Sequence, residues 1–198
     1  MSPLGLHDTF AVMALVALGG TVLMVAARFI PAVVCVRFLD VLHRWQLWLA
    51  ALVATTASLG SLYFSERADP PWVPCRFCWF QRIFMYSSAV VLIVAAIRRD
   101  RGVKWYAGPL AAIGLLVSLW HNLLERGVVE ESKVCSASVP CAIPYRVSFG
   151  NYNSDGMAAG FPSITLAVMA FCGFAAILAL LFTPESLEDD PDGEPAEG

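Results

Sequence analysis

Charge is scarce in this sequence. Asp, Glu, Lys and Arg make up 15% of its 198 residues while 58% are hydrophobic, and the mean hydropathy is +0.66. Soluble domains carry about a quarter charged residues, so this balance excludes an ordinary water-soluble domain and makes lipid part of the solvent. Basic clusters interleaved with aromatics are missing too. The 13 Lys and Arg residues are scattered or sit at the ends of apolar runs, which points to membrane lipid as a partner and not to nucleic acid. Met1 to Phe10 holds no Lys or Arg, so the positive leader of a secretory signal is lacking. The run Val25-Ala26-Ala27 imitates a cleavage site, yet with that charge pattern the first apolar segment is expected to stay as a helix. Basic residues are also absent from positions 185–198, which hold seven of the 16 acidic residues. That stretch reads as an acidic tail that does not pack, and without it 13 basic residues face 9 acidic ones, a mildly basic body. No internal repeat is evident.

Five apolar stretches stand out, roughly Phe10–Ala27, Trp45–Phe64, Phe80–Ile97, Tyr106–Leu124 and Phe161–Phe182. Each is close to the ~20 residues that cross a bilayer as a helix. A helix is the only open-ended structure that satisfies its own backbone in lipid, so an all-α integral membrane protein is expected. Trp45, Trp48, Tyr63, Trp72, Trp79, Trp105 and Tyr106 flank the runs as an interfacial belt would. Pro162 is expected in the first turn of the last helix, where proline costs little. The connector Arg98 to Lys104 carries four basic residues and is expected on the cytoplasmic side, together with Arg28 to Arg44 and its three arginines. Ser65–Trp79 and Glu125–Gly160 then face outside, the N-terminus is external and the acidic tail cytoplasmic.

The six cysteines are of two kinds. Cys35 and Cys172 lie in or beside apolar runs and read as small apolar side chains. Cys75/Cys78 and Cys135/Cys141 lie in polar connectors on one side of the membrane. Cys75-Arg76-Phe77-Cys78 is a C-x-x-C, a spacing that closes a small disulfide ring or holds one metal. It precedes a helix, so Cys78 is expected near a helix N-terminus, where the dipole favours a thiolate. Arg82 follows one turn on and on the same face, a charge that cannot be shed and is expensive to keep just inside a membrane helix. On spacing alone a static disulfide or a zinc half-site stays open. Cys135 and Cys141 enclose five residues, a spacing that fits a structural disulfide or an exchange partner for the first pair. Two pairs on one face can pass electrons through a mixed disulfide. His121, at about the depth of Arg82, can donate a proton or hydrogen bond to a bound carbonyl, or can be an interfacial histidine. Glu125 reads as solvated. Trp79, Phe80, Phe84 and Tyr86 wall a pocket for a flat ring or serve as belt and packing residues.

Pro74-Cys75 through Cys78-Trp79-Phe80-Gln81-Arg82-Ile83-Phe84-Met85-Tyr86 resembles the signature of the disulfide bond formation protein B family (DsbB/BdbC), in particular its short BdbC-type branch. Leu119-Trp120-His121-Asn122-Leu123-Leu124 is similar to that family's histidine-bearing helix. Val134-Cys135 through Pro140-Cys141, and Phe161-Pro162-Ser163-Ile164, are similar to its second loop and last helix. The likeness covers about Trp45 to Phe182. It implies a multi-pass protein of the bacterial cell membrane: a four-helix transmembrane bundle over 45–184, with 1–44 as one extra N-terminal transmembrane helix and its connector, and 185–198 as the tail. It also implies a quinone cofactor (ubiquinone or menaquinone) and, as partner, an extracytoplasmic thioredoxin-fold thiol oxidoreductase (DsbA/BdbD-like). The implied route runs from attack on a Cys135–Cys141 disulfide to Cys75 and Cys78. A Cys78 thiolate beside Arg82 then reduces the quinone, His121 assists at a ring oxygen, and no metal takes part. Two features depart from the family pattern: the helix before Trp45, and a segment 150–160 more polar than expected. Three other readings remain. In a vitamin K epoxide reductase-like protein the C-x-x-C sits within a late helix, whereas here it precedes an early one. Zinc held by four thiolates would need an unusual C-x5-C spacing. The third is a membrane protein with two static disulfides.

Overall fold

The computed structural model describes residues 3–30, 33–68, 72–130, 141, 146–147 and 164–184. Five helices follow one another: α1 (Pro3–Ala27), α2 (Val33–Glu66), α3 (Arg76–Arg98), α4 (Lys104–Glu125) and α5 (Leu166–Leu181), with a 3-10 turn at Arg101–Val103 before α4. Strands β1 (Arg146–Val147) and β2 (Ile164–Thr165) pair antiparallel, Arg146 opposite Thr165 and Val147 opposite Ile164. Among the described residues four helices are long and apolar enough to cross a membrane, and α5 is a shorter apolar helix.

All five expected helices are present; α1 opens seven residues before Phe10 and α3 four before Phe80, and α2 and α5 depart from their expected starts for reasons of their own. α2 starts twelve residues before Trp45 because no glycine or proline lies between Val33 and Leu59 to stop it. Its 34 residues reach about 51 Å, well past the ~30 Å hydrocarbon core. Most of the expected connector Arg28–Arg44 is therefore a helical extension. α5 departs the other way, opening at Leu166 and not at Phe161. Ile164 and Thr165 are β-branched and pair with β1, after which the Thr165 hydroxyl accepts from Val168 N at 3.3 Å and caps the helix. Pro162, the polar segment 150–160 and the tail 185–198 lie outside the described residues.

The alternation of helices gives the bundle two distinct ends. One, the cysteine end, gathers the starts of α1, α3 and α5 with the ends of α2 and α4. The other carries Arg98 to Lys104 in a tight turn. Arg99 takes a left-handed backbone (φ 54°), and Asp100 accepts hydrogen bonds from Gly102 N at 2.8 Å and the Tyr106 hydroxyl at 2.6 Å. At this basic end Arg28 donates to the carbonyls of Ala179 (3.2 Å) and Phe182 (2.6 Å). His43 Nδ1 lies 3.2 Å from Thr183 O. Carbonyls at and just past the end of α5, where a helix leaves its acceptors without partners, are thus met by Arg28, just past α1, and by His43 of α2.

α5 packs on α1, α2 and α4, and α3 bridges α2 and α4. Small side chains make this possible: Ala50, Ala51 and Ala54 on α2, and Ala107, Ala111 and Ser118 on α4, are buried. The fully buried Phe174 ring occupies the space beside Gly114 that any side chain there would need. Close approach through small residues is how helices associate when lipid offers no hydrophobic drive. The hydroxyls of Ser58 and Ser118 bond to carbonyls one turn back, at 2.7 and 2.8 Å. The outward faces stay apolar, with Val16 70%, Leu52 62%, Val90 64% and Leu116 64% exposed, a surface suited to lipid.

Candidate functional site

Cys75 is the N-cap of α3. Its backbone is extended (φ −70°, ψ 173°) and its Sγ accepts from Cys78 N at 3.3 Å, the place a Ser or Asp oxygen takes in other helices. Cys78, in the first turn, has its Sγ 2.7 Å from that of Cys75, and both are free thiols. The pair can therefore close into a disulfide without rearranging the backbone. The Cys75 thiol is held well below its usual range. The hydrogen bond from Cys78 does most, a bond and favourable charge from His121 add to it, and together they outweigh burial, which pushes the thiol up. Within the dithiol this lowering falls on Cys75, the sulfur at the cap. The cap sulfur receives the first-turn N–H directly, and Cys78 is one turn further in.

His121, buried near the end of α4, ties this site together. Its Nε2 lies 3.7 Å from Cys75 Sγ, 3.2 Å from Cys141 O and 3.7 Å from Glu125 Oε1. Its Nδ1 faces the Gln81 amide nitrogen at 3.2 Å, and its ring stacks on Phe77 at 5.6 Å. With Gln81 donating to Nδ1, the proton of the neutral ring is on Nε2, aimed at Cys75 and the Cys141 carbonyl. The Glu125 side chain, expected to be solvated, is enclosed, because Thr165 closes over it and donates to Oε2 at 2.6 Å. Cys141 is disulfide-bonded, and it packs with Cys75 and Leu124 in one buried cluster. Cys135 lies outside the described residues. The Sγ of Cys75, the Sγ of Cys78 and a His121 ring nitrogen lie within 4.8 Å of one another, close enough to hold a metal ion.

On its other side Cys78 borders a cavity of ≈ 250 Å³, whose α3 wall is Cys78, Gln81, Arg82, Met85 and Tyr86. These positions recur every three or four residues, one face of a helix. The Arg82 guanidinium donates to Ser61 O at 3.1 Å and lies 5.3 Å over the Trp79 ring. Gln81 reaches both compartments, lining the cavity and touching His121.

The family described as "Disulfide bond formation protein DsbB" matches residues 43–183. A "Probable disulfide formation protein" of Deinococcus radiodurans is 41% identical over 155 residues, 77% of this chain and 97% of that protein. "Disulfide bond formation protein C" of Bacillus subtilis is 43% identical over 105 residues, 52% of this chain and 72% of the relative. A "Probable disulfide formation protein C 2" of Bacillus anthracis is 33% identical over 144 residues, 73% of this chain and 93% of that one. The chain belongs to the DsbB family. It is thus a multi-pass membrane oxidoreductase of disulfide bond formation, with a thiol–disulfide partner. No solved structure matches the chain.

All four loop cysteines and Arg82 fall inside the DsbB match. The geometry brings together Cys75, Cys78, Cys141 and His121, and sets Arg82 with Cys78 on the cavity. It does not put His121 at the cavity, since Gln81 stands between them. Of the four aromatics at the start of α3 only Tyr86 lines the cavity, while Trp79 points outward and is 53% exposed. The aromatic walls come instead from Phe10, Phe64, Trp72 and Phe174. Sequence reasoning missed Gln81 and Thr165. Gln81 stood at i+3 from Cys78, the spacing that places it on the same face, and Thr165 had the form of an N-cap.

Proposed function

We propose that this DsbB-family protein is a thiol:quinone oxidoreductase that reoxidises an extracytoplasmic thioredoxin-fold dithiol protein (DsbA/BdbD-like). The observation that carries this reading is the two-sided C-x-x-C: Cys75 faces Cys141 and His121, and Cys78 faces an apolar cavity beside Arg82. The cysteine end is taken as external because the basic residues gather at the other. The cavity is near the low end of the ~300–1,000 Å³ of small-molecule sites. Its walls are largely apolar, with a guanidinium, an amide, a phenol, a thiol and the side chains of Thr56 and Ser61 among them, a set suited to a flat ring bearing two carbonyl oxygens. Arg82, Gln81, Tyr86 and Cys78 would hold that ring. Ubiquinone or menaquinone bound there would supply the sink for the two electrons and two protons that the partner dithiol gives up on becoming a disulfide.

The protein's own residues divide the rest. A partner thiolate attacks Cys135 of a Cys135–Cys141 disulfide, and the partner's second thiol resolves the mixed disulfide, leaving Cys135 and Cys141 reduced. Cys141, packed on Cys75, then attacks that sulfur of the closed C-x-x-C. The Cys75–Cys78 bond breaks and Cys78 leaves as a thiolate into the cavity, beside the fixed charge of Arg82. Cys135 next attacks Cys141, the second disulfide re-forms, and Cys75 is released as the thiolate that His121 stabilises. Two electrons have then moved from the external dithiol to the pair beside the cavity. His121 and Glu125 hold the proton exchanged at Cys75.

The test uses the full chain in membranes with a reduced thioredoxin-fold donor, following quinone absorbance beside a non-reducing gel. Cys141→Ser is expected to accumulate a covalent donor complex through Cys135. A complex through Cys75, or donor oxidation that proceeds equally without quinone, refutes the reading.

A further inference from the structure

The DsbB match begins at residue 43, so α1 lies wholly before it, yet α1 is fastened into the bundle at both ends. At the cysteine end the His7 ring is buried edge-on against Phe64 (5.5 Å) and Trp72 (4.7 Å). One turn later Phe10 meets Phe64 edge-on at 5.8 Å and fills the hollow over Gly60, where a side chain would collide with its ring. Trp72 is three residues before Cys75, so this clamp is continuous with the redox pair. At the basic end Arg28 is bonded to α5 as described above. Between these fastenings Phe10, Met13, Ala14 and Ala17 line the same cavity as Cys78 and Arg82. They stand at i, i+3, i+4 and i+7, one stripe of a helix. The other face, including Val12, Val16 and Val22, is open to lipid. Side-chain size falls along the stripe, from a phenyl ring at the clamp to two alanines deeper in. Ala17 is about 10 Å further along the axis than Phe10.

We propose that α1 is a wall of the quinone site and selects its ligand, with Phe10 packing against the ring and Ala14 and Ala17 leaving room for the lipid tail. This rests on the quinone reading above. α1 separates the cavity from the surrounding lipid on that side, so the ring must fit between Phe10 and the α3 wall.

The decisive measurement is protection from alkylation, which does not depend on turnover. Ala14→Cys and Val16→Cys are made separately in the full chain, in membranes. N-ethylmaleimide labelling at each position is followed by peptide mass spectrometry, with and without a fully substituted, decyl-tailed benzoquinone or naphthoquinone. At least one of the two quinones is expected to slow labelling at position 14 tenfold or more and to leave position 16 unchanged. In parallel, Ala14→Leu is expected to raise the KM for quinone at least tenfold, to a different extent for the two rings, while thiol exchange between Cys75 and Cys141 keeps its rate. Phe10→Leu is expected to change the ratio of the two KM values, with Val16→Ala as the neutral comparison. Equal labelling at 14 and 16, with Ala14→Leu unchanged and Arg82→Gln impaired, overturns the role of α1 and leaves the quinone reading standing. Failure of the unaltered protein to reduce either quinone overturns both.

Discussion

Removing the imidazole beside Cys75 should move the acidity of that thiol by an amount the geometry sets. A hydrogen bond to a charged group is worth ~1.5–3 kcal/mol, and each pKa unit is 1.36 kcal/mol, which brackets a shift of about 1–2 units. The Nε2 of His121 is 3.7 Å from Cys75 Sγ and is shared with the Cys141 carbonyl at 3.2 Å. The lower end applies, so His121→Leu should raise the Cys75 pKa by about 1 unit. The bond from Cys78 is the larger cause, and Cys78→Ala should raise it further, by about 2 units. The sign follows from the direction of the native shift. A lowered value keeps the thiolate populated at neutral pH and loses it only as pH falls, so each variant moves that loss to higher pH. The assay is the ultraviolet thiolate absorbance of the reduced protein titrated with acid, with Cys75→Ser as the baseline. A thiolate band that survives in Cys75→Ser would place the charge on Cys78, and an unmoved midpoint in His121→Leu would remove the histidine from the site's electrostatics.

Arg82→Gln should leave exchange between the two cysteine pairs intact and slow quinone reduction about 10- to 150-fold, the loss of one charge-assisted contact at the limiting step; rapid mixing measures it, and an unchanged rate refutes the assignment. The reduced protein should bind one Zn²⁺ through Cys75, Cys78 and His121 and the oxidised protein none, since a disulfide consumes two of the three donors; equilibrium dialysis at both redox states decides it. Gly114→Ala should cost about 1–3 kcal/mol by overpacking against the buried Phe174 ring, read as a lower midpoint of unfolding in mixed detergent. A membrane-impermeant maleimide applied to intact cells should reach reduced Cys75, Cys78, Cys135 and Cys141 but not Cys35; labelling of Cys35 alone would invert the orientation.

Hydrophobic run length was enough to place all five helices, because the cost of unsatisfied backbone in lipid leaves few alternatives. Their ends were less legible, for two different reasons. Run length records the apolar stretch, but the helix extends past it through Arg37, Asp40 and Arg44, since nothing there breaks it. At α5 the opposite held: apolar Ile164 looked helical and was taken by a strand partner 17 positions away. In the site, Cys75, Cys78 and Arg82 were readable from spacing along one helix. Which sulfur occupies the cap depended on where the helix starts, which the spacing of the two cysteines does not fix. The surroundings of Glu125 and His121 come from Thr165 and Cys141, contacts that a single sequence does not display.

The lateral bonds at the basic end bear on how the chain is put together. α5 is the last of the described helices and the most enclosed, and the carbonyls of Ala179, Phe182 and Thr183 at its end face Arg28, just past α1, and His43 of α2. Until it arrives, those helices and α4 surround a gap, and Glu125 lacks Thr165. The cavity beside Cys78 is open on the side that Phe174 and Gly173 later close. A nascent chain thus carries its first cysteine pair well before the cavity beside that pair has all its walls.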